Sequence, residues 1–379
     1  MYKIAVFAFF SVFVFNSCNS EQEIPVDLID TEEISITIDT LATGLENPWG
    51  MAFLPDGRIL IAERPGRLRV FAMGELRDAP VQGIPEIWDH GQGGLLDVVL
   101  HPDYDENGWI YLAYASPYGE EEGTGNTSIS RGKLTGNSFT EMELIFQGEP
   151  ATSAGHHFGS RIVFDDDGYL FTTIGDRGVM NNAQTLENHN GKVLRIHDDG
   201  SVPADNPFVN VDGAKPEIWS YGHRNIQGMG LHPDTRRLWS HEHGPMGGDE
   251  INLVRRGLNY GWPEASYGVN YNGSIITEET SLPGMEDPIL QWTPSIAPCG
   301  LAFVDSDRYP AWRGNMLVGA LAGQHIHRVV FDGNEVTDTE YLLDGFARFR
   351  DVRQGPDGYI YVLTEAPGLF FRIIPWETE

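Results

Sequence analysis

WGMAFLPDGRILIAER, from Trp49 to Arg64, reads as an apolar strand, a turn on Pro55, Asp56 and Gly57, and a second apolar strand. Asp and Gly supply the backbone angles that a tight hairpin needs. The phrase returns as GLLDVVLHPDYDENGWIYLAYA from Gly94, GSRIVFDDDGYLFTTIGDRG from Gly159 and QGMGLHPDTRRLWSHEHG from Gln227. A degenerate fifth version, CGLAFVDSDRYPAWRGNMLVGAL, starts at Cys299, and RDVRQGPDGYIYVLTEA starts at Arg350. The likeness is in pattern more than in identity. Six hairpins, each with more strand-like sequence before the next, predict an all-β, six-bladed β-propeller of four-stranded antiparallel blades. A sandwich would not repeat in this way, and unrelated hairpins sharing one turn type are the competing reading.

Composition agrees with a turn-rich β protein. The 379 residues include 44 Gly and 23 Pro, with 41% hydrophobic residues, and no stretch sustains a 3.6-residue period. A net charge of −30 repels phosphate backbones and argues against a nucleic-acid partner. The same acidity suits oxygen-rich calcium sites or a plain solvated surface.

At the start, Lys3 precedes an apolar run from Ile4 to Phe15 and then Asn16, Ser17 and Cys18. The run is too short to span a bilayer and has the form of a signal-peptide core, so residues 1–18 are expected to direct export and to leave no transmembrane helix in the mature chain. Small residues before Cys18 resemble a bacterial lipoprotein signal, with Cys18 as a lipid anchor; Phe15 stands where Leu is usual, so simple cleavage and a retained anchor are the alternatives. The expected location is the periplasm or a membrane-anchored lipoprotein. Cys18 and Cys299 are the only cysteines, which excludes a disulfide framework and leaves Cys299 as a small packing residue. Residues 19–40 are acidic and read as a tether running into a first strand, with the propeller taken as 41–379. Long insertions near 176–225 and 257–298 are rich in polar and aromatic residues, and loops on a rigid scaffold are where binding groups collect.

The most distinctive runs are YGHRNIQG, Tyr221 to Gly228, and HEHGPMGGDEINLVRRGLNYGWP, His241 to Pro263. Over about Leu41 to Ile374 the chain resembles the soluble PQQ-dependent glucose and aldose sugar dehydrogenases, the glucose/sorbosone dehydrogenase family; HRNxQG followed in order by GP, DEIN and NYGWP is a specific signature. The resemblance implies oxidation of aldoses at C1 to lactones, with hydride passing to C5 of PQQ and electrons leaving to a separate acceptor.

PQQ is a planar quinone bearing carboxylates, so its site needs fixed cations at the ring edge and a cation at the reactive carbonyl. By resemblance, Arg224 and Asn225 contact PQQ, with Gln227 on the same loop. Arg348 and Arg350 in RFRDVR form a second pair, with Arg353 nearby; strand alternation puts 348 and 350 on one side, as a carboxylate clamp requires. Gln92 in HGQGGLLD matches a residue at the sugar, Tyr271 in VNYNG a cofactor contact, and Ser295 in TPSIAP a hydroxyl near PQQ. Asp176, Arg177 and Gln184 are weaker correspondences.

Calcium against a quinone carbonyl would polarise it for hydride attack. The resemblance implies that backbone carbonyls at Gly244 and Pro245 hold the catalytic ion and that Glu250 and Tyr260, the latter through its carbonyl, also contact calcium. The plain reading of Asp249 and Glu250 is a turn with a cap.

His157, in GHHFGSRIVF, matches the family's general base, which takes the proton of the anomeric hydroxyl; histidine suits this because its pKa lies near working pH. The following GSR sets the register and favours His157 over His156, which stands where glucose-specific members have an Asp. One departure is Ala322 in GALAG, where the family often has a Lys on a PQQ carboxylate; losing that bond costs about 1.5–3 kcal/mol, about ten- to a hundredfold in affinity. Two other readings of such a propeller stay open at this point: a calcium-dependent lactonase or esterase, and a cofactor-free carbohydrate-binding protein.

Overall fold

A computed structural model describes residues 28–376. The expected leader and Cys18 lie outside the described residues.

The six quoted hairpins are the two innermost strands of six sheets. The first pairs β3 (Pro48–Phe53) with β4 (Ile59–Glu63), and β5 (Arg67–Ala72) and β6 (Glu75–Leu76) complete the blade. Its turn is closed by the Leu54 N–H on the Arg58 carbonyl at 2.8 Å and the Gly57 N–H on the Leu54 carbonyl at 3.0 Å, with Gly57 at φ +86°. That left-handed angle is why the turn carries Gly.

The next four blades repeat the order around inner strands β7 (Leu95–Leu100), β11 (Ile162–Phe164), β15 (Ile226–Leu231) and β19 (Pro298–Phe303). In the sixth, β23 (Phe349–Gln354), β24 (Ile360–Thr364) and β25 (Leu369–Trp376) continue into β2 (Ser35–Thr43) and β1 (Ile29–Asp30). The N-terminal strand thus closes the ring against the C-terminal one, with Ile36 opposite Pro375 and Ile38 opposite Ile373.

The first strand therefore starts earlier than the expected boundary at 40/41, and residues 35–40 belong to the propeller. In SITIDT, Ile36 turns fully into the core between the fifth and sixth blades, beside Trp312, Phe349 and Phe371. Burying such a side chain contributes about 1.5–3 kcal/mol, more than an isolated tether segment could gain.

The inner strands neighbour one another in sequence order and surround the axis. Trp49, Gln92, Gly159, Asn225, Ala297 and Arg348, one from each blade and each at or just before an inner strand, line one cavity of about 340 Å³. Leu100, Phe164, Leu231, Phe303 and Gln354, at the far ends of inner strands, line another of about 470 Å³. The axis therefore has two distinct mouths, and the motif residues gather at the first. Between β17 (Asp249–Leu253) and β18 (Leu290–Trp292), a long loop carries Tyr260 and Tyr271. No helix among the described residues is long and apolar enough to cross a membrane.

Candidate active site at the entrance of the inner strands

The 340 Å³ cavity is of small-molecule size and is lined by Arg64, Arg348 and Arg350. Arg350 Nη2 is 3.0 Å from Glu365 Oε1 and Arg348 Nη2 is 3.2 Å from Glu365 Oε2, so one carboxylate fixes both guanidinium groups. The two arginines act on the same side, as expected, but alternation is not the reason. Arg348 precedes β23, and a register shift between Phe349 and Asp351 interrupts the strand at Arg350. Burial alone would push Glu365 up; the charge and hydrogen bond of Arg350 outweigh it and hold the carboxyl below its ordinary value.

The other arm of Arg350 has weak partners, with Nη1 3.2 Å from Cys299 Sγ and 3.5 Å from Gln227 Oε1. A guanidinium facing a cavity with no second anion suits a carboxylate ligand. Cys299 is fully buried, as a packing residue should be, and also meets this arginine. Asn225 and Gln227 are held in place at the cavity wall: Asn225 Oδ1 accepts the Gly159 N–H at 3.1 Å and a Gln227 amide N–H at 3.3 Å. Arg224 reaches behind them, its Nη1 donating to the His243 and Gly244 carbonyls at 2.9 and 2.8 Å.

A second cavity, of about 180 Å³, is lined by His156, His157, Asp176, Arg224, Pro245 and Trp262 among others. Tyr271 lines both cavities, so they adjoin. His157 has φ +58° and donates its backbone N–H to Gln92 Oε1 at 2.9 Å, so Gln92 orients the loop rather than acting as a free turn amide. Its Nδ1 is 2.6 Å from Asp176 Oδ1.

Asp176 also accepts the Gly178 N–H at 2.8 Å on Oδ1 and the Trp262 indole N–H at 2.8 Å on Oδ2. Burial works against its charge, but the hydrogen bond from His157, with the others, holds its pKa below the ordinary value. An ionised Asp176 can only accept, so Nδ1 carries the proton and Nε2 keeps its lone pair. Burial lowers the His157 pKa, Asp176 opposes this, and the Arg224 charge adds to the lowering. The imidazole is therefore neutral near pH 7 and ready to take a proton. His156 lies edge-to-face on His157 at 4.7 Å and has no such carboxylate bond.

The residues suggested for calcium fall in two places. Pro245 borders the second cavity, and Gly244 donates its N–H to Asp249 Oδ1 at 2.7 Å. Asp249 also accepts from the Ser295 hydroxyl at 2.7 Å and the Ile296 N–H at 2.8 Å, tying two loops together. Ser295 is thus turned onto Asp249, and Ala297 takes its place at the cavity wall. Burial pushes Asp249 up to about 6.

Glu250 lies elsewhere, on β17 opposite Glu242. Burial and the Glu242 charge raise its pKa well above the ordinary value. The two carboxylates share the Asn252 amide N–H₂ at 3.1 and 3.3 Å, while Asn252 Oδ1 is buried without a partner. Crowded carboxylates beside an unsatisfied amide oxygen fit a hard cation. Tyr260 packs close by, its ring stacked 4.6 Å from that of His223, which itself bonds Glu242 at 2.9 Å. Among the described residues, no three His, Cys, Asp or Glu side chains converge on one point in metal-binding fashion.

Sequence alone assigns Asp176 no role beside His157 and gives no site role to Glu365, His243 or Trp49, all three of which line the 340 Å³ cavity. The signal for Asp176 was available as IGDRG at the end of the third hairpin, but its pairing with a loop 19 residues earlier needs the blade geometry. Arg177 turns away from both cavities to the His156 carbonyl and the Phe158 ring, and Gln184 bonds Asn259 and the Trp262 carbonyl. Ala322 leaves no cation at its turn; Arg348 Nη1 reaches that turn instead, 3.1 Å from the Leu321 carbonyl.

The fold and this site define a β-propeller with a cation-lined axial cavity beside a carboxylate-oriented histidine. The family model for glucose/sorbosone dehydrogenase matches residues 45–372, and the chain belongs to that family. It is 43% identical to the aldose sugar dehydrogenase YliI of Escherichia coli, over 90% of this chain and 93% of that one. It is 30% identical to quinoprotein glucose dehydrogenase B of Acinetobacter calcoaceticus, over 86% and 85%. Among solved structures, apo soluble aldose sugar dehydrogenase from E. coli superposes with TM-score 0.86 at 40% identity, covering 90% of this chain and all of that one. The PQQ-bound aldose sugar dehydrogenase from Streptomyces coelicolor superposes with TM-score 0.75 at 28% identity, over 90% and 98%.

Proposed function

We propose that this protein oxidises aldose sugars at the anomeric carbon to lactones, with PQQ in the 340 Å³ cavity, the sugar in the adjoining 180 Å³ one and calcium as the accompanying cation. The observation that carries the reading is the free Nε2 of His157, oriented by Asp176 at 2.6 Å and facing a cavity that adjoins the arginine-lined one. Bound PQQ would supply a two-electron acceptor for the hydride from the anomeric carbon.

The chain's residues supply the rest. Arg350 and Arg348 are the cations for cofactor carboxylates, Arg224, which lines the adjoining cavity, is the third cation at the boundary between the two, and Asn225, Gln227 and Tyr271 bound the slot. Gly244, Pro245, Glu250 and Tyr260 are the proposed calcium contacts, in the two places described. His157 Nε2 takes the proton of the anomeric hydroxyl as the hydride leaves, so one proton and one hydride depart and a lactone carbonyl forms. Asp176 stabilises the imidazolium that results, and a separate acceptor then receives the electrons.

The test is reconstitution of the apoprotein with PQQ and calcium, followed by dye reduction with a panel of aldoses and identification of the lactone. Activity that vanishes in His157→Ala while PQQ remains bound supports the proposal. No PQQ spectrum at any cofactor concentration sinks it.

A further inference from the structure

Four of the charged side chains that line the 470 Å³ cavity form one cluster: Asp97 on β7, Arg161 just before β11, and Asp351 and Arg353 on β23. Arg161 Nη1 is 2.9 Å from Asp351 Oδ1, and Arg353 Nε is 2.8 Å from Asp351 Oδ2. Arg353 also pairs with Asp97, whose other oxygen accepts the Ile162 N–H at 3.0 Å. The two arginines balance the two aspartates. Arg161, Asp97 and Asp351 are 3%, 0% and 1% exposed, and burying such a cluster is costly unless its hydrogen bonds are well made.

The donors not used on aspartate separate the two arginines. Arg161 Nε donates to the Gln227 carbonyl at 2.7 Å, its Nη2 lies 3.3 Å from the Arg350 carbonyl, and its guanidinium covers the Trp49 ring at 4.1 Å. Gln227, Arg350 and Trp49 all line the cavity assigned to the cofactor. Arg353 reaches only the Val98 carbonyl and the two aspartates, none of which lines it.

We infer that Arg161 is a positioning residue for cofactor binding: from beneath the cavity it fixes Gln227, Arg350 and Trp49, whereas Arg353 only completes the charge balance. The inference rests on the functional reading above, in that the cavity takes a carboxylate-bearing quinone. A planar fork holding two carbonyls and a ring face is not replaced by a lysine.

The test compares Arg161→Lys with Arg353→Lys in the full chain, measuring thermal stability, PQQ affinity in calcium by absorbance titration, and KM for aldose at saturating PQQ. Both variants lose stability. Arg161→Lys weakens PQQ binding about tenfold or more, the scale of one charge-assisted hydrogen bond to a cofactor carboxylate lost when Arg350 is no longer held, and Arg353→Lys leaves it within about twofold. KM for aldose stays unchanged in both. Asp351→Asn, which loosens both arginines without removing either, gives an intermediate loss; set against the small effect of Arg353→Lys, that loss is assigned to Arg161 where Arg161→Lys does not fold.

Equal affinity in Arg161→Lys and the parent, or equal weakening in both lysine variants, overturns the inference. Crystal structures of the apo variants decide it without cofactor: Arg350 and Gln227 shift in Arg161→Lys and stay in place in Arg353→Lys. Unmoved side chains in Arg161→Lys overturn it, whereas a parent protein that binds no PQQ counts only against the functional reading.

Discussion

Replacing Asp176 by Asn tests the base assignment through hydrogen-bond geometry. Three donors converge on the two oxygens of Asp176: Gly178 N–H and His157 Nδ1–H at Oδ1, and the Trp262 indole at Oδ2. An amide offers one oxygen. If it sits at the Oδ1 position, the amide N–H₂ faces the Trp262 donor; if it sits at Oδ2, the N–H₂ faces Gly178 and forces His157 into the tautomer with its proton on Nε2. The first arrangement loses a buried bond, and the second removes the lone pair that accepts the substrate proton.

Losing the charged partner costs about 1.5–3 kcal/mol of imidazolium stabilisation, or about 10- to 150-fold in kcat. The pH dependence has a definite sign. Burial holds the His157 pKa below 6.5 and Asp176 works to raise it, so Asp176→Asn lowers it further and moves the acid limb of kcat to lower pH while the plateau falls. The assay is kcat against pH at saturating PQQ, calcium and aldose. A plateau loss smaller than about threefold, or an acid limb that moves upward, would refute the role given to the pair.

The other predictions concern the cofactor grip, the cation and the frame. Arg350→Leu removes the guanidinium arm that lacks a second anion; PQQ affinity measured by titration falls about tenfold or more, with little change in the acid limb of kcat. Glu250→Gln removes the cost of burying a carboxylate and its repulsion from Glu242, so the calcium-free protein melts at a higher temperature than its parent, while the rise in melting temperature on adding calcium is lost. Phe371→Ala empties a fully buried site behind the ring closure and costs about 3–5 kcal/mol, read from urea unfolding. Burial lowers His241 from 6.5 to about 3, so the unfolded chain binds a proton that the folded one refuses; stability falls as pH drops through that interval, and His241→Gln makes the fall shallower.

The six hairpins were legible because each inner pair keeps a local turn signature and an apolar run. Their partners were not: β2 joins β25 across more than 300 residues, with Asp39 bonded to Arg372 at 2.9 Å, and nothing local in SITIDT announces that distant strand. The site divides in the same way. His157, Arg224, Asn225 and Gln227 stand in compact motifs, and the fold brings them to one mouth. Glu365 and Arg161 matter through contacts made between separate chain segments, so their residue type alone carried no signal, and Asp176, legible in IGDRG, is joined to His157 only by the fold. Ser295 shows the converse, since its motif was legible but its hydroxyl is taken by Asp249 at 2.7 Å.

The most direct measurement mixes the PQQ- and calcium-reconstituted protein anaerobically with one equivalent of aldose and follows the quinone absorbance in a stopped-flow instrument. The proposed chemistry predicts bleaching that is slowed by deuterium at the anomeric carbon and lost in His157→Ala with PQQ still bound. Absence of bleaching in the parent, or bleaching of equal rate in His157→Ala, would contradict it.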